Sequence, residues 1–315
     1  MSRDEPRSES SPAGDPNPHV PVLLREVVEQ LGLQSGGRYV DATLGAGGYA
    51  GAILDGAEES ELLGLDRDPR ACRHAAHRLR QHGRRLRVEH APFDAIDEVL
   101  DSIGWERVQG IVADLGLSSL QLDDPARGFS FQQDGPLDMR FDPEAETSAA
   151  QLVNELEEGA LADLIYRFGD ERRSRAVARR IVRARPIETT TRLREIVRSA
   201  FPRPATRRRG GRRTDSATRT FQALRIAVND ELSRLERLVE KAPWRLAIGG
   251  RLVIVSYHSL EDRIVKWAFR ELASPADTEP CFRLLTKKPL TPGEDELAHN
   301  PRSRSAKLRA LERIA

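Results

Sequence analysis

The sequence predicts an α/β fold built on a mostly parallel sheet and interrupted by a helical insertion. Three observations carry that expectation. Short apolar runs alternate with helical periodicity up to Asp114 and resume at Arg251, which is the pattern of βαβ units. A glycine-rich turn at Gly45, Gly47 and Gly48 follows the first run. From about position 123 to 215 the strand pattern vanishes, and within that stretch the charge turns basic from Arg167 on.

The elements follow in order. Residues 1–18 are rich in Ser, Pro, Asp and Glu and lack an apolar segment, so a disordered tail is expected and a secretory signal is not. Val20 to Leu31 has helical spacing, and Arg38 begins a short strand that runs into the glycines. The pattern turns helical after Gly48. Glu61 to Asp66 is a second strand ending in an acid. Asp68-Pro69 is a helix start signal for a segment reaching His82. Leu86 to His90 and Val108 to Asp114 are the third and fourth strands, the fourth again ending in an acid. Leu152 to Gly159, Gly159 to Arg185 and Leu193 to Phe201 read as helices. A long helix from Ala217 to Ile248 leads back to an apolar strand, Arg251 to Tyr257. Phe282 to Pro289 and Ala306 to Ile314 are candidate closing strands. The expected division is a sheet domain of 19–122 and 216–315, with 123–215 inserted.

Composition narrows the function classes. The chain has 315 residues, 39% apolar and 31% charged, enough for one large domain carrying an insertion. No run of 18 apolar residues exists, so no membrane helix and a cytoplasmic location are expected. Cys72 and Cys281 lie far apart without CxxC partners, which argues against a Cys-based zinc site and a disulfide framework. His74 and His77 share a helix face, but no carboxylate follows at usable spacing, so no metal is expected. Lys+Arg is 50 against 49 for Asp+Glu. That balance hides segregation: from Arg167 to Arg219 there are 18 basic and 5 acidic residues. Arginine outnumbers lysine 45 to 5, which reflects either a GC-rich genome or phosphate recognition.

Glycines at a strand-to-helix turn let a ligand approach the backbone and expose free helix N–H groups. Gly45-x-Gly47-x-x-Ala50, with Asp66 about 20 residues on, satisfies a Rossmann-like fingerprint in which the acid accepts ribose hydroxyls. Nicotinamide and adenosyl cofactors both fit that description. Asp41 just ahead of the glycines would repel a pyrophosphate but could face the ammonium of a methionine moiety. Asp114 falls at the carboxyl edge, where such sheets bind ligands. Both favour S-adenosyl-L-methionine.

Longer blocks carry a family resemblance. His19-Val-Pro-Val-Leu-Leu, Asp41-Ala-Thr-Leu-Gly-Ala-Gly-Gly, Gly64-Leu-Asp-Arg-Asp-Pro, Ala113-Asp-Leu-Gly-Leu-Ser-Ser-Leu-Gln-Leu-Asp-Asp, Arg127-Gly-Phe-Ser-Phe and Asp134-Gly-Pro-Leu-Asp-Met-Arg resemble the ribosomal RNA small subunit methyltransferase H family. So do Thr220-Phe-Gln-Ala-Leu-Arg-Ile-Ala-Val-Asn, Ser256-Tyr-His-Ser-Leu-Glu-Asp-Arg and Asn300-Pro-Arg-Ser-Arg-Ser-Ala-Lys-Leu-Arg. The blocks run in family order from His19 to the C-terminus. The resemblance implies a class I S-adenosylmethionine-dependent methyltransferase. It would act on N4 of a decoding-centre cytidine (conventional position 1402) in 16S rRNA, with the small ribosomal subunit as partner. Carried over by motif position, the cofactor residues would be Gly47, Gly48, Tyr49, Asp66, Phe93, Asp114 and Gln121. The family often has histidine where this chain has Tyr49, which puts a side-chain role there in question.

Methyl transfer to an exocyclic amine asks mainly for positioning, with an acceptor near the amine. Candidates are Asp114 itself, a carbonyl of its loop, or a group from elsewhere. Ser256 and His258 follow a later strand and are candidates for holding a flipped base. The Arg207, Arg208, Arg209, Arg212 and Arg213 cluster, with its intervening glycines, suits phosphate tracking. Phe129, Phe131 and Arg140 are candidates for stacking on or clamping unpaired nucleotides. Two other readings stay open: an NAD(P)-dependent oxidoreductase and a non-catalytic ribosome-binding factor. A homo-oligomer is compatible with the sequence.

Overall fold

The computed structural model describes residues 21–201, 215–276 and 278–315. The expected tail 1–18 and the arginine cluster 207–213 lie outside them. The chain opens with α1 (Leu24–Leu31), β1 (Arg38–Asp41), α2 (Gly48–Gly56), β2 (Glu61–Asp66), α3 (Pro69–Arg78), β3 (Leu86–His90), α4 (Ile96–Ser102) and β4 (Val108–Asp114). A helical stretch follows: α5 (Ser119–Leu122), α6 (Ala149–Glu155), α7 (Glu158–Gly169), α8 (Ser174–Arg183), α9 (Thr190–Ser199), α10 (Thr218–Asn229) and α11 (Glu231–Lys241). It closes with β5 (Leu246–Ser256), α12 (Ser259–Ala273), β6 (Phe282–Leu284), α13 (Glu294–His299) and β7 (Lys307–Arg313).

The strands form one seven-stranded sheet in the order β3-β2-β1-β4-β5-β7-β6. The first five neighbours are parallel; β7 runs antiparallel to both β5 and β6. Successive side chains point to opposite faces of a strand. Val40, Leu63, Ile111 and Ile254 therefore enter one core, and Tyr39, Leu62, Val112 and Val253 the other. Helices cover both faces, as continuous apolar strands require. Asp68 accepts the Arg70 N–H and Pro69 occupies the first turn of α3, so the predicted start signal operates. β6 is shorter than its expected run.

A third apolar cluster holds the helical unit together. Leu161, Ile165, Val177, Ile181, Leu193 and Val197 pack there with Phe221 and Leu224 of α10. Its packing thus reaches beyond position 215, where the sequence reading ends the insertion. The two longest expected helices are each broken. Asp170 (φ 48°) separates α7 from α8, and Asp230 (φ 51°) separates α10 from α11. Aspartate tolerates this left-handed conformation as a single residue. One such residue redirects the chain without disturbing the apolar spacing that predicts a continuous helix. No described helix is long and apolar enough to cross a membrane.

Candidate active site

Three acids end neighbouring strands. β1 lies between β2 and β4, with Asp41 opposite Gly64 on one side and Val112 on the other. Asp41, Asp66 and Asp114 therefore gather at the carboxyl edge around the loop before α2. Gly47 caps that helix at φ 77°, and a Cβ there would come within 2.9 Å of Leu79. A Cβ on Gly48 would lie 2.3 Å from Pro21. Both positions need glycine, one for conformation and the other for close packing.

The loop is tied to the acids. Gly45 donates its N–H to Asp66 Oδ2 at 2.7 Å, and Asp68 donates to Oδ1 at 2.8 Å. Burial raises the Asp66 pKa despite these bonds. The Asp114 N–H donates to Thr43 Oγ1 at 2.6 Å. Asp114 Oδ1 accepts from Gly116 at 3.1 Å, and the Tyr49 hydroxyl lies 3.3 Å from Oδ2. Tyr49 has one proton and also approaches the Val22 carbonyl, so Asp114 gains only a weak partner there. Burial dominates and pushes Asp114 up to about 6. Asp41 is fully buried. One of its oxygens accepts from Thr43 at 3.2 Å and the other has no partner. Burial pushes it up to about 7. It sits behind the loop rather than on the cleft surface.

These groups open on a cleft of about 380 Å³, within the usual range for a small-molecule site. Gly48, Tyr49, Asp66, Phe93, Asp114 and Gln121 all line it; Gly47 shapes the turn beneath. Gln121 reaches back to the Ser118 N–H in a capping box on α5, so its side chain is already engaged. The Tyr49 hydroxyl lies between the Val22 carbonyl and Asp114.

Other expectations are corrected. Ser256 is buried, and its hydroxyl donates to the Lys307 carbonyl. His258 caps α12: its Nδ1 accepts the Glu261 N–H at 3.4 Å. Neither is among the residues lining the cleft. Tyr257, between them, is. Phe129 is buried and stacks on Phe141, Phe131 packs edge-on against Phe221, and Arg140 forks onto Asp138. The two phenylalanines pack within the helical unit, and Arg140 is engaged locally by Asp138 and the Ala145 carbonyl.

Arg225, Glu231 and Glu261 also line the cleft and went unremarked in the sequence. Glu231, His258 and Glu261 bring one ligand atom each within 4.8 Å of one another. Most of their polar atoms are engaged, but His258 Nε2 is buried without a hydrogen-bond partner, 3.1 Å from Glu261 Oε1. Arg225 forks onto both oxygens of Glu231 at 2.8 Å, and Glu261 Oε2 accepts the N–H groups of Tyr257 and His258 at 2.7 and 3.2 Å. A dication there would face the Arg225 guanidinium. The cluster is a helix cap joined to an ion pair.

Comparison with known proteins agrees with this geometry. The family model described as the MraW methylase family matches residues 16–314. A protein of Nitratidesulfovibrio vulgaris named "Ribosomal RNA small subunit methyltransferase H" is 49% identical over 311 residues, covering 94% of this chain and 95% of that one. Proteins of the same name from Synechococcus elongatus and Sorangium cellulosum are 50% and 51% identical, over 94% of this chain and 95% and 91% of theirs.

Proposed function

The chain belongs to the MraW methylase family, and on that premise we propose that it methylates N4 of a decoding-centre cytidine, conventional position 1402, in 16S rRNA. It is a methyltransferase that uses S-adenosyl-L-methionine. Family membership sets aside the nicotinamide reading, which rested on the glycine fingerprint alone, and the non-catalytic one. The observation that carries the proposal is the junction at Asp114. There the end of β4 meets the glycine loop through Thr43 and Tyr49, in a cleft that Arg225 and Phe141 from the helical side also line.

The bound cofactor supplies a methyl group on a sulfonium, a leaving group that needs no acid. The chain's own residues bind, orient and exclude water. Asp66 has a lone pair to spare on each oxygen after its two backbone bonds, and these can accept ribose hydroxyls. Phe93, half-buried on the cleft wall, offers a face for adenine. The carboxylate of Asp114, on the cleft wall, favours the cationic end of the cofactor. Cytosine N4 is a weak nucleophile because its lone pair is delocalised, so an acceptor beside N4–H helps it pyramidalise. The candidates for that role are Asp114, a carbonyl of its loop, or a group from elsewhere. The target base must leave its stack to enter. The helical unit, continued by the Arg207–Arg213 segment, would hold the surrounding RNA.

The test is methylation of naked 16S rRNA and of small subunits with labelled donor, followed by nucleoside mass spectrometry and mapping. N4-methylcytidine at the one position is expected. Label on another atom or nucleotide would refute the assignment.

A further inference from the structure

Arg225 is a guanidinium fixed at the cleft wall. Glu231 holds its Nε and Nη2, each at 2.8 Å, so the planar group cannot turn. The side chains of the pair are only 15% and 10% exposed. The charges of Glu231 and Glu261 keep the guanidinium protonated against its burial. No described residue accepts a hydrogen bond from Nη1, and Nη1 is not among the buried polar atoms without a partner. Its two donors are therefore unused in a residue that lines the cleft together with Asp114, Gly116 and Tyr257. Arg225 comes from α10, whose other face packs in the helical unit, so it brings that unit's geometry to the cofactor cleft.

A fixed pair of donors with no acceptor capacity selects for acceptors. The pairing edge of cytosine carries the N4 amine and then two acceptors, N3 and O2. Uracil presents N3–H in place of the first, and adenine has a C–H in place of O2. We propose that Arg225 determines base specificity by donating from Nη1 to the N3/O2 edge of the target cytosine, leaving its amine toward the Asp114 end of the cleft. This rests on the cytosine reading of the function. Glu231 is the positioning residue that holds the fork in place.

The test crosses an enzyme change with a substrate change. The RNAs carry cytidine or 3-deazacytidine, in which N3 becomes C–H, at the target position. The enzymes are the natural protein, Arg225→Lys, and the double variant Arg225→Gln/Glu231→Gln, which leaves no buried carboxylate unpaired. Single-turnover methylation and calorimetry with S-adenosylhomocysteine are measured for each. The natural enzyme should lose about 10- to 100-fold on the deaza substrate. The double variant should lose a similar factor on cytidine and little more on 3-deazacytidine. Arg225→Lys should fall between, and S-adenosylhomocysteine affinity should hold within about twofold. Multiplying losses would overturn the proposal, as would an unchanged natural rate on 3-deazacytidine, a result that needs no variant to fold. A fall in S-adenosylhomocysteine affinity would also overturn it and assign Arg225 to the cofactor carboxylate. If the natural enzyme makes no N4-methylcytidine, the functional reading itself fails, and product analysis of that one enzyme identifies that case.

Discussion

Asp66 accepts the Gly45 N–H at 2.7 Å, so the acid ending the second strand also fastens the loop that follows the first. Ligand site and local fold share one carboxylate. Asp66→Ala should therefore weaken cofactor binding and loosen the loop together. A charge-assisted bond to ribose hydroxyls is worth roughly 1.5–3 kcal/mol, or about 10- to 150-fold in affinity. Asp66→Asn keeps one acceptor oxygen and should fall between. Calorimetry with S-adenosylhomocysteine gives the affinities, and amide exchange at Gly45 gives the loop. Unchanged affinity in the alanine variant would remove the ribose role.

Asp41 makes a prediction about stability and pH. Its folded pKa, about 7, lies above the ordinary 3.8 because burial disfavours the charge. The protonated acid suits the folded state and the ionised one the unfolded state. The contribution of Asp41 to stability should thus be fullest below about pH 4, decline as pH rises toward 7, and then level off. The penalty at pH 8 is on the order of 1–4 kcal/mol. Asp41→Asn should raise the melting temperature of the cofactor-free protein at pH 8 and flatten its decline between pH 4 and 7. A variant that melts lower at pH 8 would mean that the ionised carboxylate is stabilising.

How much of this is legible in the sequence differs by residue. Asp66 and Asp114 can be read because each closes an apolar run before a turn, a purely local signal. The glycine loop is local too. Tyr257 is hidden because alternation along a strand decides which neighbour faces the cleft, and Ser256 points into the buried side instead. The Arg225–Glu231 pair depends on the break at Asp230. Apolar periodicity runs straight through that break, so the two side chains read as unrelated helix positions. Phe129 and Phe131 sit in a polar segment that reads as exposed. Tertiary partners, Phe141 and Phe221 among them, bury the first and half-bury the second.

The Arg207, Arg208, Arg209, Arg212 and Arg213 cluster lies outside the described residues, yet its chemistry can be tested. Neutralising all five should weaken RNA binding and flatten its salt dependence. Each lost phosphate contact should lower the slope of log affinity against log salt by roughly 0.7–0.9. S-adenosylhomocysteine affinity should stay constant, because the phosphate-tracking reading assigns the five to RNA alone. An unchanged slope in filter-binding titrations would make the segment a solvated one without RNA contact.

Asp114 can be assigned by separating affinity from rate. Its pKa of about 6 puts the ionised form in the majority at neutral pH. If that form holds the cofactor, affinity should weaken as pH falls through 6, tending toward tenfold per unit. Asp114→Asn should show weaker binding with no such pH limb, while the turnover rate at saturation changes little. The amide keeps an acceptor for the Gly116 N–H, so the turn should survive. A contact made only as charge develops on N4 behaves differently. The rate at saturating cofactor would then fall by about 100-fold or more with affinity intact. We expect the first pattern, since Asp114 lies on the same cleft wall as the glycine loop and Tyr49. Single-turnover methylation and calorimetry on the same variant decide it. A large rate loss with unchanged affinity would move Asp114 from cofactor binding to the transfer step.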